Sequence, residues 1–170
     1  MSGDLLRSLS RYLGQGLLLD ANILLVFAVG LFDPLLIARH KRTRENYNPE
    51  DFELTEEIIE LFHPAPRFST PQLLTEVSNL LAQSQDTLSR LLFVRLAEVI
   101  AIHEEHYMPS SRLAAHGQFA TLGLRDIAVL ELASQKRAVV VTDDSRFADY
   151  LGRNRVDVVK FRDLKKLDDV

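Results

Sequence analysis

Apolar positions along this chain fall into short solid runs that alternate with longer amphipathic stretches. LLLDANILL begins as an apolar run at Leu17 and reads as a buried strand, with a helix following toward Gly30. RFST (67–70), AVVVT (138–142) and VDVVKF (156–161) read as three further strands. Between them lie stretches with helical spacing. DFELTEEIIELF (51–62) is closed by Pro64 and Pro66, and PQLLTEVSNLLAQS (71–84) carries Pro71 at its first turn. DTLSRLLFVRLAEVIAIHEEHY (86–107) reads as one long amphipathic helix. RDIAVLELASQKR (125–137) and DSRFADYLGR (144–153) read as shorter ones. MPSSRLAAHGQFATLGL (108–124) is irregular or short-helical. Asp33-Pro34 marks a break or a helix start before a basic, amphipathic segment, LLIARHKRTRENYN (35–48).

Strands separated by helices predict an α/β fold, a parallel sheet with helices on both faces. No repeat, low-complexity segment or linker interrupts the chain, so a single domain over 1–170 is expected. Ligands of such sheets bind beyond the carboxyl ends of the strands, which directs attention to the acids found there. Asp20 ends the first run. Asp143 and Asp144 end the AVVVT run. Asp126 opens an apolar stripe that continues through Val129, Leu130 and Ala133, where a lone carboxylate is costly unless a cation, donor or metal meets it. Glu76 lies at the edge of the face formed by Leu73, Val77, Leu80 and Leu81. Each acid alone has a plain structural explanation: a helix cap for Asp20, a cap or first-turn acid for Asp126, a cap for one of Asp143 and Asp144 with the other exposed, and a solvated boundary position for Glu76. Gathered at one sheet edge they would repel one another, and hard divalent cations with oxygen ligands, Mg²⁺ or Mn²⁺, relieve that repulsion.

Composition narrows the chemistry. The chain has no cysteine, which excludes disulfides, thiolate metal sites and cysteine nucleophiles. Its formal net charge is −4, so binding nucleic acid by bulk charge is not expected, and a local basic patch or metal ions must serve instead. The dense basic run Arg39, Lys41, Arg42 and Arg44 is the candidate patch for RNA phosphates, or else a solvated helix face. His103 and His106 in HEEH stand three apart rather than four, which argues against zinc and for solvated helix histidines. Arg7 and Arg11, in the amphipathic opening segment, suit docking of the N-terminus or a partner. The most apolar stretch is broken by Asp20 and Asn22 and is shorter than a membrane span. A soluble, cytoplasmic protein without a membrane segment is expected.

Four stretches, LLLDANILL, STPQLLTEVSNLL, GLRDIAVLELA and VVVTDDSRF, resemble in order and spacing the four acidic motifs of the PIN-domain ribonucleases. The likeness runs from about Leu17 to Phe161. It implies a three-layer α/β/α sandwich around a mainly parallel sheet, and Mg²⁺- or Mn²⁺-dependent endonucleolytic cleavage of RNA phosphodiesters. Asp20, Glu76, Asp126 and Asp144 match the four acids as metal ligands and catalytic residues. The last motif, Thr, any residue, Asp, selects Asp144 and leaves Asp143 as the alternate ligand. Asn22 and Thr142 match the supporting polar positions. Many members of the family are toxins that dimerise and pair with an antitoxin protein, which implies a homodimer and such a partner. The longer first half between Asp33 and Thr70 departs from the compact toxins.

Two rival readings remain at this point. A haloacid-dehalogenase-type phosphatase would need a second Asp two residues after the first, where this chain has Asn22, and a well-placed lysine between the motifs. A non-catalytic PIN-like module that binds RNA or protein would keep the fold without the chemistry.

Overall fold

The computed structural model describes residues 3–84 and 86–168. The elements in chain order are α1 (Gly3–Leu9), β1 (Leu17–Leu19), α2 (Ala21–Gly30), α3 (Pro49–Phe62), β2 (Phe68–Ser69), α4 (Pro71–Leu81), α5 (Asp86–Ala101), β3 (Glu104–Glu105), α6 (Ser110–Ala114), α7 (Phe119–Lys136), β4 (Val139–Thr142), α8 (Ser145–Arg153), β5 (Val158–Lys160) and α9 (Phe161–Asp168). The fold is α/β, as the alternation of runs predicts. Its sheet is parallel, with β4 between β1 and β5. A second parallel pair, β2 with β3, is tied to β1 by a single bridge between Leu17 and Arg67. The strands therefore follow one another in space as β3, β2, β1, β4, β5.

This order has a functional consequence. From β1 the chain crosses to β2 on one side, whereas β4 leads through α8 to β5 on the other. Connections thus diverge between β1 and β4, and a crevice opens at the carboxyl ends of such a pair. The register is Leu17 with Val139, Leu18 with Val140 and Leu19 with Val141. One step further, the Asp20 amide donates to the Val141 carbonyl at 2.9 Å, which sets Asp20 beside Thr142. Every residue of β1 and β4 is buried on both faces, as expected for a covered parallel sheet.

The most apolar stretch is α2, in which all residues but Asn22 are buried. A helix that is apolar all round belongs inside a core, and α2 packs against α3, α4 and α5. Gly30 ends it where the Phe52 ring of α3 comes so close that a Cβ would stand 2.1 Å from a ring carbon. Among the described residues no helix is long and apolar enough to cross a membrane.

Three expectations from the sequence need correction. The segment 86–107 is not one helix: α5 stops at Ala101, and Glu104–Glu105 forms β3, hydrogen-bonded to the backbone of Arg67 and Ser69. Consequently His103 and His106 are not helix histidines. His103 folds back, its Nδ1 at 2.6 Å from the Val99 carbonyl oxygen, and His106 pairs with Glu104. The basic run 38–44 is a series of turns after a short 3-10 helix at Pro34–Leu36, not a helix face. Its turns close on Thr43, whose buried hydroxyl donates to the Ile37 carbonyl at 2.6 Å. Last, VDVVKF is strand only to Lys160, and Phe161 opens α9. The helix expected from Arg125 is present: α7 consists of two helical pieces joined across a kink at Gly123, with φ 75° and ψ −179°, a conformation close to glycine-only.

Candidate functional site

Asp20 is nearly inaccessible, at 1 % exposure. As the cap of α2 it accepts from the Ala21 amide at 2.7 Å through Oδ1, while Oδ2 accepts from the Thr142 hydroxyl at 2.6 Å. The Thr142 oxygen in turn accepts from the Asp144 amide at 3.1 Å. Thr142 therefore links the ends of β1 and β4 through one hydroxyl. Capping and site-building are not alternatives here, because the same carboxylate does both.

Asp144 repeats the pattern. It caps α8, its Oδ1 accepting from the amides of Arg146 and Phe147, both at 2.9 Å. Its neighbour Asp143 faces another way and accepts from the Tyr47 hydroxyl and, at 3.4 Å, from the Asn22 side-chain amide. The adjacent acids of the sequence are thus separated by function: one is held by backbone amides, the other by two neutral side chains.

Glu76 and Asp126 come from facing helices, α4 and α7. Between them lies Arg125. Its Nη1 donates to Glu76 Oε1 at 2.6 Å and its Nε to Asp126 Oδ1 at 2.7 Å. The sequence requires a cation, donor or metal for the buried Asp126, and the adjacent Arg125 supplies the cation. Burial pushes Asp126 above the usual aspartate range, the Arg125 guanidinium pulls it back, and the negative charges of Asp20 and Asp144 raise it again. Burial opposes the charge on Arg125, but Asp20, Asp126 and Glu76 together hold it above the ordinary arginine value. The charges of Asp20, Glu76 and Asp144 therefore all reach the Arg125–Asp126 pair.

No protein family, curated protein or solved structure matches this chain. The chemistry of the site must be argued from its own residues.

Oxygen donors of Asp and Glu suit a hard divalent ion. Among the described residues, Glu76 Oε2, Asp126 Oδ2 and Asp144 Oδ2 accept no hydrogen bond, so each of these acids keeps an oxygen free. The donor set therefore fits Mg²⁺ or Mn²⁺. Its arrangement is a different matter: among the described residues no three His, Cys, Asp or Glu side chains form a ready metal-holding group. Glu76 and Asp126 are turned onto the guanidinium of Arg125.

Open clefts flank the acids. One, of about 380 Å³, runs past Asp126 and Asp144 between Thr121, Leu122, Arg146 and Arg153. Another, of about 370 Å³, joins Asn22, Asp143 and Asp144 to Arg146 and Arg162. Beyond it Tyr47 and Asp143 meet Arg162, Lys165 and Lys166 of α9. Among the described residues Arg146 and Arg162 are exposed and make no ion pair. Lys165 is instead committed to the buried Asp51 at 2.9 Å. The basic run proposed from the sequence is not at these clefts. Arg39, Lys41, Arg42 and Arg44 are exposed on the preceding turns, and Arg42 Nε is turned to Gln83 Oε1 at 2.7 Å.

Sequence reasoning missed Arg125, Tyr47, Arg146 and Arg162. Arg125 had a signal, its position next to a buried acid that needs a cation. Tyr47 had none beyond the Asn48-Pro49 helix start that follows it. It is buried, and its hydroxyl is pushed above the ordinary tyrosine value by burial, by the bond to Asp143 and by the charges of Asp143, Asp20 and Asp51. It therefore acts as a neutral donor to Asp143.

Proposed function

We propose that this protein is a metal-dependent endoribonuclease of PIN-like, three-layer α/β/α architecture. The support for the reading is that Asp20 and Asp144 stand at the ends of β1 and β4, that the Arg125 guanidinium joins Glu76 to Asp126, and that the charges of Asp20 and Asp144 act on Asp126, with Arg146 and Arg162 exposed nearby and, among the described residues, in no ion pair. Asp20, Glu76, Asp126 and Asp144 would hold Mg²⁺ or Mn²⁺. Such an ion, when bound, lowers the pKa of water and offsets charge developing on a phosphate. Thr142 orients Asp20 and fixes the Asp144 backbone, so two ligands keep their directions without reorganising. Asn22 and Tyr47 hold Asp143 as a further negative charge in the crevice. Arg146 and Arg162 suit the phosphates on either side of the scissile one, since cationic side chains position a nucleic-acid backbone without reading its bases. Attack of water on phosphorus, in line with the departing oxygen, then breaks one P–O bond as the other forms.

The test is cleavage of labelled single-stranded RNA by the full chain with Mn²⁺, with Mg²⁺ and with EDTA. Cleavage is expected with either ion and not with EDTA, and Asp20→Asn and Asp126→Asn should each reduce it by about 10³-fold or more. Full activity in a folded Asp126→Asn protein would sink the assignment. A second reading, a non-catalytic PIN-like module that binds RNA or protein, is favoured by one observation: Arg125 already neutralises Glu76 and Asp126. RNA binding that persists with no cleavage under any of these ions would select it.

A further inference from the structure

The guanidinium of Arg125 touches two of the four acids of the proposed site. Its Nη1 lies 2.6 Å from Glu76 Oε1, and its Nη2 lies 2.6 Å from Asp126 Oδ1, which also takes Nε. The side chain is 23 % exposed and Asp126 carries only 13 % of its side-chain surface. This is a half-buried, forked contact rather than a loose surface pair, and Arg keeps its charge at any physiological pH. Asp20 adds its own field to the same guanidinium.

A second cation at the same carboxylates meets two obstacles. The near oxygens of Glu76 and Asp126 are already engaged. Two like charges a few ångströms apart in a partly buried crevice also repel strongly. Released from the acids, the side chain would turn toward solvent, since the cleft beside Asp126 is open toward Thr121 and Leu122. It also stays tethered one residue from Asp126. Two arrangements of one site follow, with either the guanidinium or a divalent ion between the acids.

We propose that Arg125 is an internal counter-cation that closes the acid cluster to divalent ions, so that ion binding and the Arg125 pair with Glu76 and Asp126 exclude each other. This inference rests on the nuclease reading of the acids. It makes Arg125 a positioning residue that sets the metal concentration at which the site assembles. It also explains how carboxylates gathered at one sheet edge remain folded without metal.

The experiment is calorimetric titration of the full chain with MnCl₂, comparing wild type with Arg125→Gln, Arg125→Lys and Asp126→Asn. Arg125→Gln should bind Mn²⁺ at least about ten-fold tighter than wild type. Arg125→Lys keeps the charge but not the fork and should fall between them. Asp126→Asn should lose the binding heat. Heat in Arg125→Gln alone would support the inference in its strongest form. Equal or weaker binding by Arg125→Gln, with heat still lost in Asp126→Asn, would overturn it while leaving the acids as metal ligands. No heat in wild type or in Arg125→Gln would overturn both. If Arg125→Gln does not fold, wild-type NMR decides. The Arg125 Nε–H resonance, identified by its loss in Arg125→Lys, should be protected without metal and move to the exposed-arginine position as Mg²⁺ is added. An unchanged resonance under Mg²⁺ that shifts the Asp20 and Ala21 amides would overturn the proposal.

Discussion

The two halves of the acid cluster are built by different means. Asp20 and Asp144 are fixed by the backbone: each caps a helix that starts where a strand stops, and Thr142 ties one to the other. Glu76 and Asp126 are fixed by a side chain, the fork of Arg125. The first pair keeps its geometry as long as the sheet does. The second pair keeps its geometry only while one guanidinium stays in place. A metal site of the kind proposed would then combine a rigid half with a movable one.

The sharpest way to break this contrast is to neutralise one acid from each half and read stability rather than activity. Asp20→Asn removes a charged acceptor from the Ala21 amide and the Thr142 hydroxyl in a fully buried place. A loss of about 1.5–3 kcal/mol is expected, the range for hydrogen bonds to charged groups. Asp126→Asn removes a charge whose burial already favours its neutral form, and Arg125 keeps Glu76. Its loss should be smaller, about 1 kcal/mol or less. Urea unfolding of the two variants at pH 7 measures the difference. Equal losses would mean that both halves are held alike.

Gly123 tests the movable half at its base. Its φ of 75° and ψ of −179° interrupt α7 two residues before Arg125, and nothing lies within 4 Å of a Cβ built there. Space is therefore not the constraint; backbone conformation is. Gly123→Ala should cost about 1–3 kcal/mol. Because Arg125 and Asp126 follow the break directly, the substitution should also change Mn²⁺ affinity, whereas Gly30→Ala, crowding Phe52 far from the acids, should change stability alone. Unaltered metal binding in a destabilised Gly123→Ala protein would show that the break does not aim the pair.

The rigid half was legible in the sequence because it is written in local signals. Three leucines followed by Asp, and three valines followed by Thr-Asp-Asp, state a buried strand and the start of a helix in consecutive letters. Their register then brings Asp20 to Thr142 without further information. The movable half was legible only as a demand. The stripe from Asp126 through Ala133 says that a buried carboxylate needs a partner, yet that the partner is Arg125, reaching also to Glu76 of α4, is a tertiary choice that helical spacing does not reveal. The end of α5 was hidden for a similar reason. Apolar spacing continues through Ile102, but the chain leaves the helix so that Glu104 and Glu105 can pair with the backbone of β2. Charge density is the least informative signal, since a run of arginines marks solvent exposure, as found for Arg39, Lys41, Arg42 and Arg44, before it marks a ligand.

That last point yields the gentlest prediction. Arg39 and Lys41 are crowded in sequence but sit on turns before the crevice, whereas Arg146 and Arg162 are sparse in sequence and line the clefts that hold Asp143 and Asp144. Reversing Arg146 and Arg162 to Glu should weaken binding of single-stranded RNA by about ten-fold at 50–100 mM salt and flatten its salt dependence by about one to two phosphate contacts. The same reversal at Arg39 and Lys41 changes net charge equally and should alter affinity by about two-fold or less, through long-range attraction that salt screens. Because the two double variants carry the same charge, bulk electrostatics cancels between them and only position remains. Equal weakening in both would return the RNA contact to the basic run, and the clefts beside the acids would then need another occupant.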